Sequence, residues 1–314
     1  MRALLVVNTF ATTTNARIQA EVSRELSEVF DLTVVNTAGR NDAINIVRDA
    51  QAQGYEIIIG LGGDGTLNEI ANGLLSDGPN PTGPILAAIP GGNGNVFIRN
   101  MGMSKNPVAA TQQLISAVTN DRIRTIGVGK ISTENISRWF LFNAGIGLDA
   151  AVLAQMEVRR NNGKLASDAT YAGLALRELL KTDRKNPALS LVSESGEIYR
   201  GAYFALLVNL APWAYLGDRP LNPLPQAGHD TALDFYAPTS LNLPVIIRLI
   251  KRAIAGKSTE SDKDLITLHN QNRLHIKSDR VHWIQVDGDV VTQSNELTAI
   301  HVPTALRVLT LDEL

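Results

Sequence analysis

The stretch Tyr55-Glu-Ile-Ile-Ile-Gly-Leu-Gly-Gly-Asp-Gly-Thr-Leu-Asn-Glu69 constrains this chain more than any other. Its first part, Ile57 to Ile59, reads as a buried β-strand. Its last part, Thr66 to Leu75, reads as a helix with Leu67, Ile70, Ala71 and Leu74 on one face. Between them lies a glycine-rich turn. Without Cβ atoms its backbone N–H groups can approach a ligand, and the following helix N-terminus favours negative charge. Asp64 sets the turn apart: a carboxylate beside a bare phosphate repels it, so Asp64 is expected to meet a nucleotide through Mg²⁺ or a ribose hydroxyl.

The first 120 residues alternate strand and helix around this unit. Apolar strands are predicted at 3–7, 32–36, 57–60 and 85–89, with helices near 15–29, 41–53 and 66–75. Such alternation implies a parallel sheet with helices on both faces, and ligands at the carboxyl ends of the strands. From about Arg122 the texture becomes β-rich. Strand-like runs fall at 122–131, 138–143, 188–193, 198–208, 273–278, 281–286 and 305–311, with helices at 149–160, 167–182 and 244–255. Glu194-Ser-Gly196 and Asp287-Gly288 sit between strands as hairpin signals. The expected class is an α/β domain followed by a sandwich or open barrel with helical insertions. The bounds are 1–125 for a nucleotide-binding domain, 126–300 for an acceptor domain, and 301–314 for a last strand that returns to the first domain.

Composition closes several alternatives. A net charge of −2 argues against a nucleic-acid-binding surface, and the lack of any cysteine removes disulfides, thiolate catalysis and cysteine-ligated metals. The apolar run before Asn8 is too short for a signal segment and reads as a first strand. The best candidate for a membrane span, Gly201 to Gly217, is broken by Asn209 and Pro212. A cytoplasmic protein is expected.

Gly60-x-Gly62-x-x-Gly65 formally matches a dinucleotide fingerprint, but the next strand ends in Pro90 without the required acid. A tight turn with no ligand is the bland alternative. A second turn, Pro90-Gly-Gly-Asn-Gly-Asn-Val-Phe97, again follows a strand. Two such turns on neighbouring strands point to a shared anionic ligand, with Asn93 and Asn95 as amide donors. Together, Gly62 to Glu69 and Pro90 to Phe97 resemble the motifs of the diacylglycerol kinase catalytic-domain family, which contains soluble bacterial lipid kinases and is related to sphingosine, ceramide and, more distantly, NAD kinases. Phe142-Asn-Ala-Gly-Ile-Gly-Leu-Asp149, Asn209 to Pro220, His229 to Asp234 and Val286-Asp-Gly-Asp289 continue the resemblance in order.

The resemblance implies an NAD-kinase-like first domain, a β-sandwich second domain, and ATP and Mg²⁺ as cofactors. Asn8 to Thr12 (Thr9 included), Thr37, Leu61, Gly62, Gly63, Asp64, Gly65, Thr66, Leu67, Gly92, Asn93 and Asn95 would surround ATP. Asp230 with the carbonyls of Ala227 and Ala232 would hold a structural Mg²⁺, and Asp289 would be the general base. Asp64 and Asp287 join it as catalytic carboxylates, since phosphoryl transfer needs a metal, phosphate-binding donors and a group to take the hydroxyl proton. Asp289 stands where the family uses glutamate, one methylene longer. His229 could suggest a relay but reads better as an ordinary loop histidine.

The segment Leu243 to Lys257 is a basic amphipathic helix, with Ile246, Leu249, Ile250, Ala253 and Ile254 forming an apolar face. Its cations Arg248, Lys251, Arg252 and Lys257 are unopposed by any acid before Glu260. It suits either transient contact with a membrane surface or packing on the sandwich. The expected activity is phosphorylation of a diacylglycerol-like or long-chain-base lipid, with a homodimer also compatible. A kinase of a soluble acceptor such as NAD and a catalytically silent nucleotide- or lipid-binding protein are the rivals.

Overall fold

The computed structural model describes residues 1–11, 14–161, 168–228, 230–259 and 262–311. The chain divides into two units, Met1–Val128 with Pro303–Leu314, and Gly129–Val302.

In the first unit β1 (Arg2–Val7), α1 (Ala16–Ser27), β2 (Asp31–Asn36), α2 (Asp42–Ala52), β3 (Ile57–Gly62), α3 (Asp64–Leu74) and β4 (Ile85–Pro90) follow one another. Two further helices, α4 (Val96–Asn100) and α5 (Pro107–Thr119), lie outside the segments that the sequence pattern marked. The strands are all parallel, in the order β2-β1-β3-β4. The central strands β3 and β4 are buried at every position, so their sequences read as unbroken apolar runs. The edge strand β2 keeps exposed positions. The order turns back at β1 and β3, so the loops following these two strands diverge and open a crevice at their carboxyl ends.

Helices pack in pairs, α1 with α5 and α2 with α3. Gly73 makes the second pairing possible, because a Cβ there would meet the Ile44 carbonyl oxygen at 2.8 Å. Glu69 of α3 accepts the N–H groups of Asn41 and Ala43, satisfying the start of α2. Asn15 and Asn106 cap α1 and α5 through their side chains.

β5 (Ile123–Ser132) begins in the first unit and ends in the second. There follow β6 (Ser137–Phe140), β7 (Asn143–Ile146), α6 (Leu148–Asn161), α7 (Asp168–Lys181), β8 (Leu189–Val192), β9 (Ile198–Ala202), β10 (Ala205–Val208), β11 (Ala214–Leu216), β12 (Arg219–Leu221), β13 (Leu233–Pro238), α8 (Leu243–Ile254), β14 (Leu265–Gln271), β15 (Arg273–Val286) and β16 (Asp289–Leu309). The end of β16 belongs to the first unit, where Val308 pairs with Leu86 of β4.

The second unit is β-rich and layered. β14, β13, β10, β7 and the end of β15 form one antiparallel layer, while β9, β8 and the beginning of β15 form another. β16 runs beside β15 along both. Side chains of the two layers, among them Leu207, Phe235, Leu191, Ile276 and Leu297, meet in a single core. Alternate residues of the first layer, Leu206, Val208 and Tyr236, face the other way and pack with Val245 and Leu249 of α8. β13 is therefore covered on both faces.

Several expectations change here. The run 198–208 is two strands, with Gly201 at φ +90° beside the break. β11, β12, β13 and β14 lie outside the runs that the sequence pattern marked. The buried face of α8 is Val245, Leu249 and Ala253, whereas Ile250 and Ile254 are exposed. Its arginines are also balanced: Arg248 bonds Asp262 and Asp264, and Arg252 lies 3.5 Å from Asp262.

Candidate functional site

In the first unit the two glycine turns touch. The Gly91 N–H donates to the Gly62 carbonyl at 2.8 Å, and a Cβ on Gly92 would lie 2.7 Å from the Cα of Gly63. Only glycine allows this approach. α3 starts at the first turn with Gly63 as its N-cap and no side-chain cap, so its leading N–H groups are offered to a ligand. Asn8 ties the loop after β1 to the same place by donating Nδ2–H to Thr66 Oγ1 at 2.9 Å. Thr14, which no motif singles out, has a buried hydroxyl without a hydrogen-bond partner among the described residues. Its oxygen would lie 2.5 Å from a Cβ on Gly91. An orphaned hydroxyl beside uncapped N–H groups fits a phosphate oxygen.

Asp64 links the two glycine turns. Its carboxylate accepts the N–H groups of Val96 and Phe97, both at 3.0 Å. It opens the first turn of α4 and holds the second glycine turn against the first, an architectural use of the carboxylate. Asn95 is likewise turned inward: its amide donates to the Gly92 carbonyl and accepts the Gly92 N–H. Leu61 and Leu67 are fully buried in the core, so neither side chain can reach a nucleotide. Thr37 is buried and donates its N–H to Val7 at the end of β1. Thr9 and Asn93 are exposed at the same end of the sheet. Thr12 lies outside the described residues.

In the second unit Asp287 and Gly288 form a two-residue hairpin turn, both with positive φ (48° and 84°), closed by the Val286–Asp289 pair. Asp287 is 1% exposed and accepts the N–H groups of Leu141, Phe142 and Asn143 at 2.7–3.1 Å. Both of its oxygens accept backbone donors, so it anchors the hairpin. Asp289 begins β16 and is half-exposed. Gln285 steadies the turn, accepting the Gly288 N–H and donating to Asn143 and to Asp149. Asp149, at the start of α6, also receives the Tyr171 hydroxyl at 2.9 Å. Burial raises its carboxyl above the ordinary value, against the lowering pull of its two hydrogen bonds.

Ala227, Asp230 and Ala232 share one turn, closed by reciprocal bonds between Gly228 and Thr231. Asp230 is exposed, and the Ala227 carbonyl accepts the Ala211 N–H at 3.2 Å while keeping a second lone pair. One carboxylate and two carbonyls make an all-oxygen donor set of the kind a hard cation accepts. Among the described residues no cluster of three or more histidine and carboxylate side chains could hold a metal ion. His229 lies outside the described residues.

Residues 2–131 match the family model of the diacylglycerol kinase catalytic domain. A protein of Staphylococcus aureus strain MSSA476 named "Putative lipid kinase" is 23% identical over 301 residues, covering 94% of this chain and 92% of that protein. The crystal structure of a protein from Bacillus anthracis strain Sterne, described as a "putative diacylglycerol kinase", matches with a TM-score of 0.74 at 22% identity. The match covers 98% of this chain and 97% of that one. An NAD kinase from Archaeoglobus fulgidus in complex with ATP shares the fold at a TM-score of 0.52 and 11% identity, covering 99% and 94%. The chain is similar to the diacylglycerol kinase catalytic-domain family and, more distantly, to the NAD kinases, as its paired glycine turns implied.

Proposed function

We propose that this chain is an ATP- and Mg²⁺-dependent lipid kinase that phosphorylates the hydroxyl of a diacylglycerol-like or long-chain-base lipid on the cytoplasmic side of a membrane. One observation carries the nucleotide half: two glycine turns meet backbone to backbone beside a helix N-terminus without a side-chain cap and a threonine hydroxyl that has no partner among the described residues. The lipid half is supported by the family match and by the naming of the Staphylococcus aureus relative. No helix among the described residues is long and apolar enough to cross a membrane.

In this reading the first N–H groups of α3 and the Thr14 hydroxyl hold phosphate oxygens, while the Asn8–Thr66 bond keeps the loop after β1 in place. Asp289 takes the proton of the lipid hydroxyl as its oxygen bonds to the γ-phosphorus. The bond from that phosphorus to the bridging oxygen breaks, and ADP leaves. Asp230, with the Ala227 and Ala232 carbonyls, is the proposed Mg²⁺ holder, and the ion would supply local positive charge. The role of Asp289 rests on its half-exposed position at a rigid hairpin. Aspartate is shorter than glutamate by roughly 1 Å of reach, so the acceptor must come correspondingly closer.

The test is an assay with ATP labelled in the γ-phosphate, Mg²⁺, and separate diacylglycerol, sphingoid base, ceramide and NAD acceptors. Label in a lipid supports the proposal. Label in NAD alone would replace it with a soluble-acceptor kinase. ATP binding without turnover, unaltered in Asp289→Ala, would make the chain a silent nucleotide-binding protein.

A further inference from the structure

The solvent-facing side of α8 carries an apolar stripe that its packing does not use. Leu243 is 60% exposed, Ile247 45%, Ile250 52% and Ile254 37%. Their spacing, i, i+4, i+7 and i+11, places them on one line along the helix, roughly opposite Val245, Leu249 and Ala253, which are buried in the second unit. The helix is thus apolar on two faces, where a surface helix with one partner needs only one.

Cations border the stripe on one side. Lys251 stands one turn from both Ile247 and Ile254, and Lys257 follows the end of the helix. Neither lysine has an acidic partner within ion-pair distance among the described residues, whereas Arg248 and Arg252 are balanced by Asp262 and Asp264. An open depression of about 390 Å³ runs along this flank, lined by Pro244, Ile247, Arg248, Lys251, Arg252 and Lys257 among others.

We infer that this face of α8 docks on an anionic membrane surface, with the four apolar side chains entering the headgroup boundary and Lys251 and Lys257 meeting lipid phosphates. Charge selects this occupant. A second copy meeting the same patch about a two-fold axis would bring the unpaired lysines of both copies together. A sheet of anionic headgroups over hydrocarbon complements both halves of the patch at once. The inference stands apart from the proposed kinase activity: a chain that binds membranes and phosphorylates nothing would leave it intact.

Co-sedimentation of the full chain with phosphatidylcholine vesicles, with and without phosphatidylglycerol, tests it. Binding is expected only with the anionic lipid and should weaken as salt is raised. Lys251→Gln and Lys257→Gln should each lower partitioning by about fivefold. Ile247→Ser with Ile250→Ser should lower it at least ~10-fold, with thermal melting unchanged because these side chains face solvent. Absence of binding to anionic vesicles overturns the inference, and so does binding that all four substitutions leave intact. A concentration-dependent dimer that these substitutions dissolve, without vesicle binding, would instead make the face a contact between copies.

Discussion

The Asp64 carboxylate accepts the backbone N–H of Phe97 at 3.0 Å, across 33 residues of chain. With the companion bond to Val96 it joins the turn after β3 to the turn after β4. Two hydrogen bonds to a charged acceptor are at stake, so Asp64→Ala should destabilise the first unit by about 1–3 kcal/mol. Asp64→Asn, which keeps one acceptor oxygen, should cost less. Denaturant titration measures both. If Asp64 were a metal ligand or catalytic acid instead, Asp64→Asn would abolish turnover at unchanged stability.

Gly92→Ala forces a methyl to within 2.7 Å of the Gly63 Cα. That nearest atom is backbone and cannot rotate away. Overpacking of this kind costs ~1–3 kcal/mol, and it separates the two turns that form the proposed phosphate seat. Calorimetry should show ATP affinity falling at least ~10-fold, equivalent to about 1.4 kcal/mol. Gly39→Ala, where a methyl enters open space, is the control. Equal ATP affinity in both variants would rule out the seat.

The neighbouring hairpin aspartates should separate cleanly. Asp287→Ala strands three buried N–H donors and should destabilise the second unit by about 3 kcal/mol or more. Asp289→Ala removes a half-exposed side chain and should cost less stability than that, while lowering lipid phosphorylation ~10²- to 10⁴-fold. Paired melting and turnover measurements decide it. The reverse pattern would transfer the catalytic role to Asp287.

Asp149 predicts a pH dependence. Burial raises its carboxyl above 3.8 in the folded protein. The native state therefore holds this proton more tightly than the unfolded chain. The associated stability is fully present below 3.8 and is lost as pH rises through the elevated folded value. Asp149→Asn cannot titrate. The stability of the wild type relative to this variant should decline with rising pH, by at most about 1.4 kcal/mol per pH unit. Denaturation series at stepped pH read it directly, and a flat difference would contradict the assignment.

Most of the first unit is legible because its central strands are covered on both faces and end in polar turns. Punctuation and hydropathy agree there, as in Ile57–Gly62 and Ile85–Pro90. The Asp287-Gly288 turn is legible for a local reason: both residues tolerate positive φ. β13 was hidden because it is apolar on both faces yet interrupted by Asp234, a buried carboxylate that lies 2.6 Å from His269 Nδ1 and accepts the Asn270 N–H. Asp64 stood out by type, but its use depends on donors 32 and 33 residues away that no local pattern announces. Gln285 and Asp149 are 136 positions apart and carry no signal before folding brings them together.

The pairing of Val308 with Leu86 has a consequence for synthesis. A ribosome releases β1 to β4 early, yet the edge of β4 stays unpaired until residues 303–309 have emerged. Everything in the second unit is translated in between. The unit begun first is thus among the last to be completed, and an arrested or truncated nascent chain would display the open edge of an apolar parallel sheet, a template for pairing with other chains.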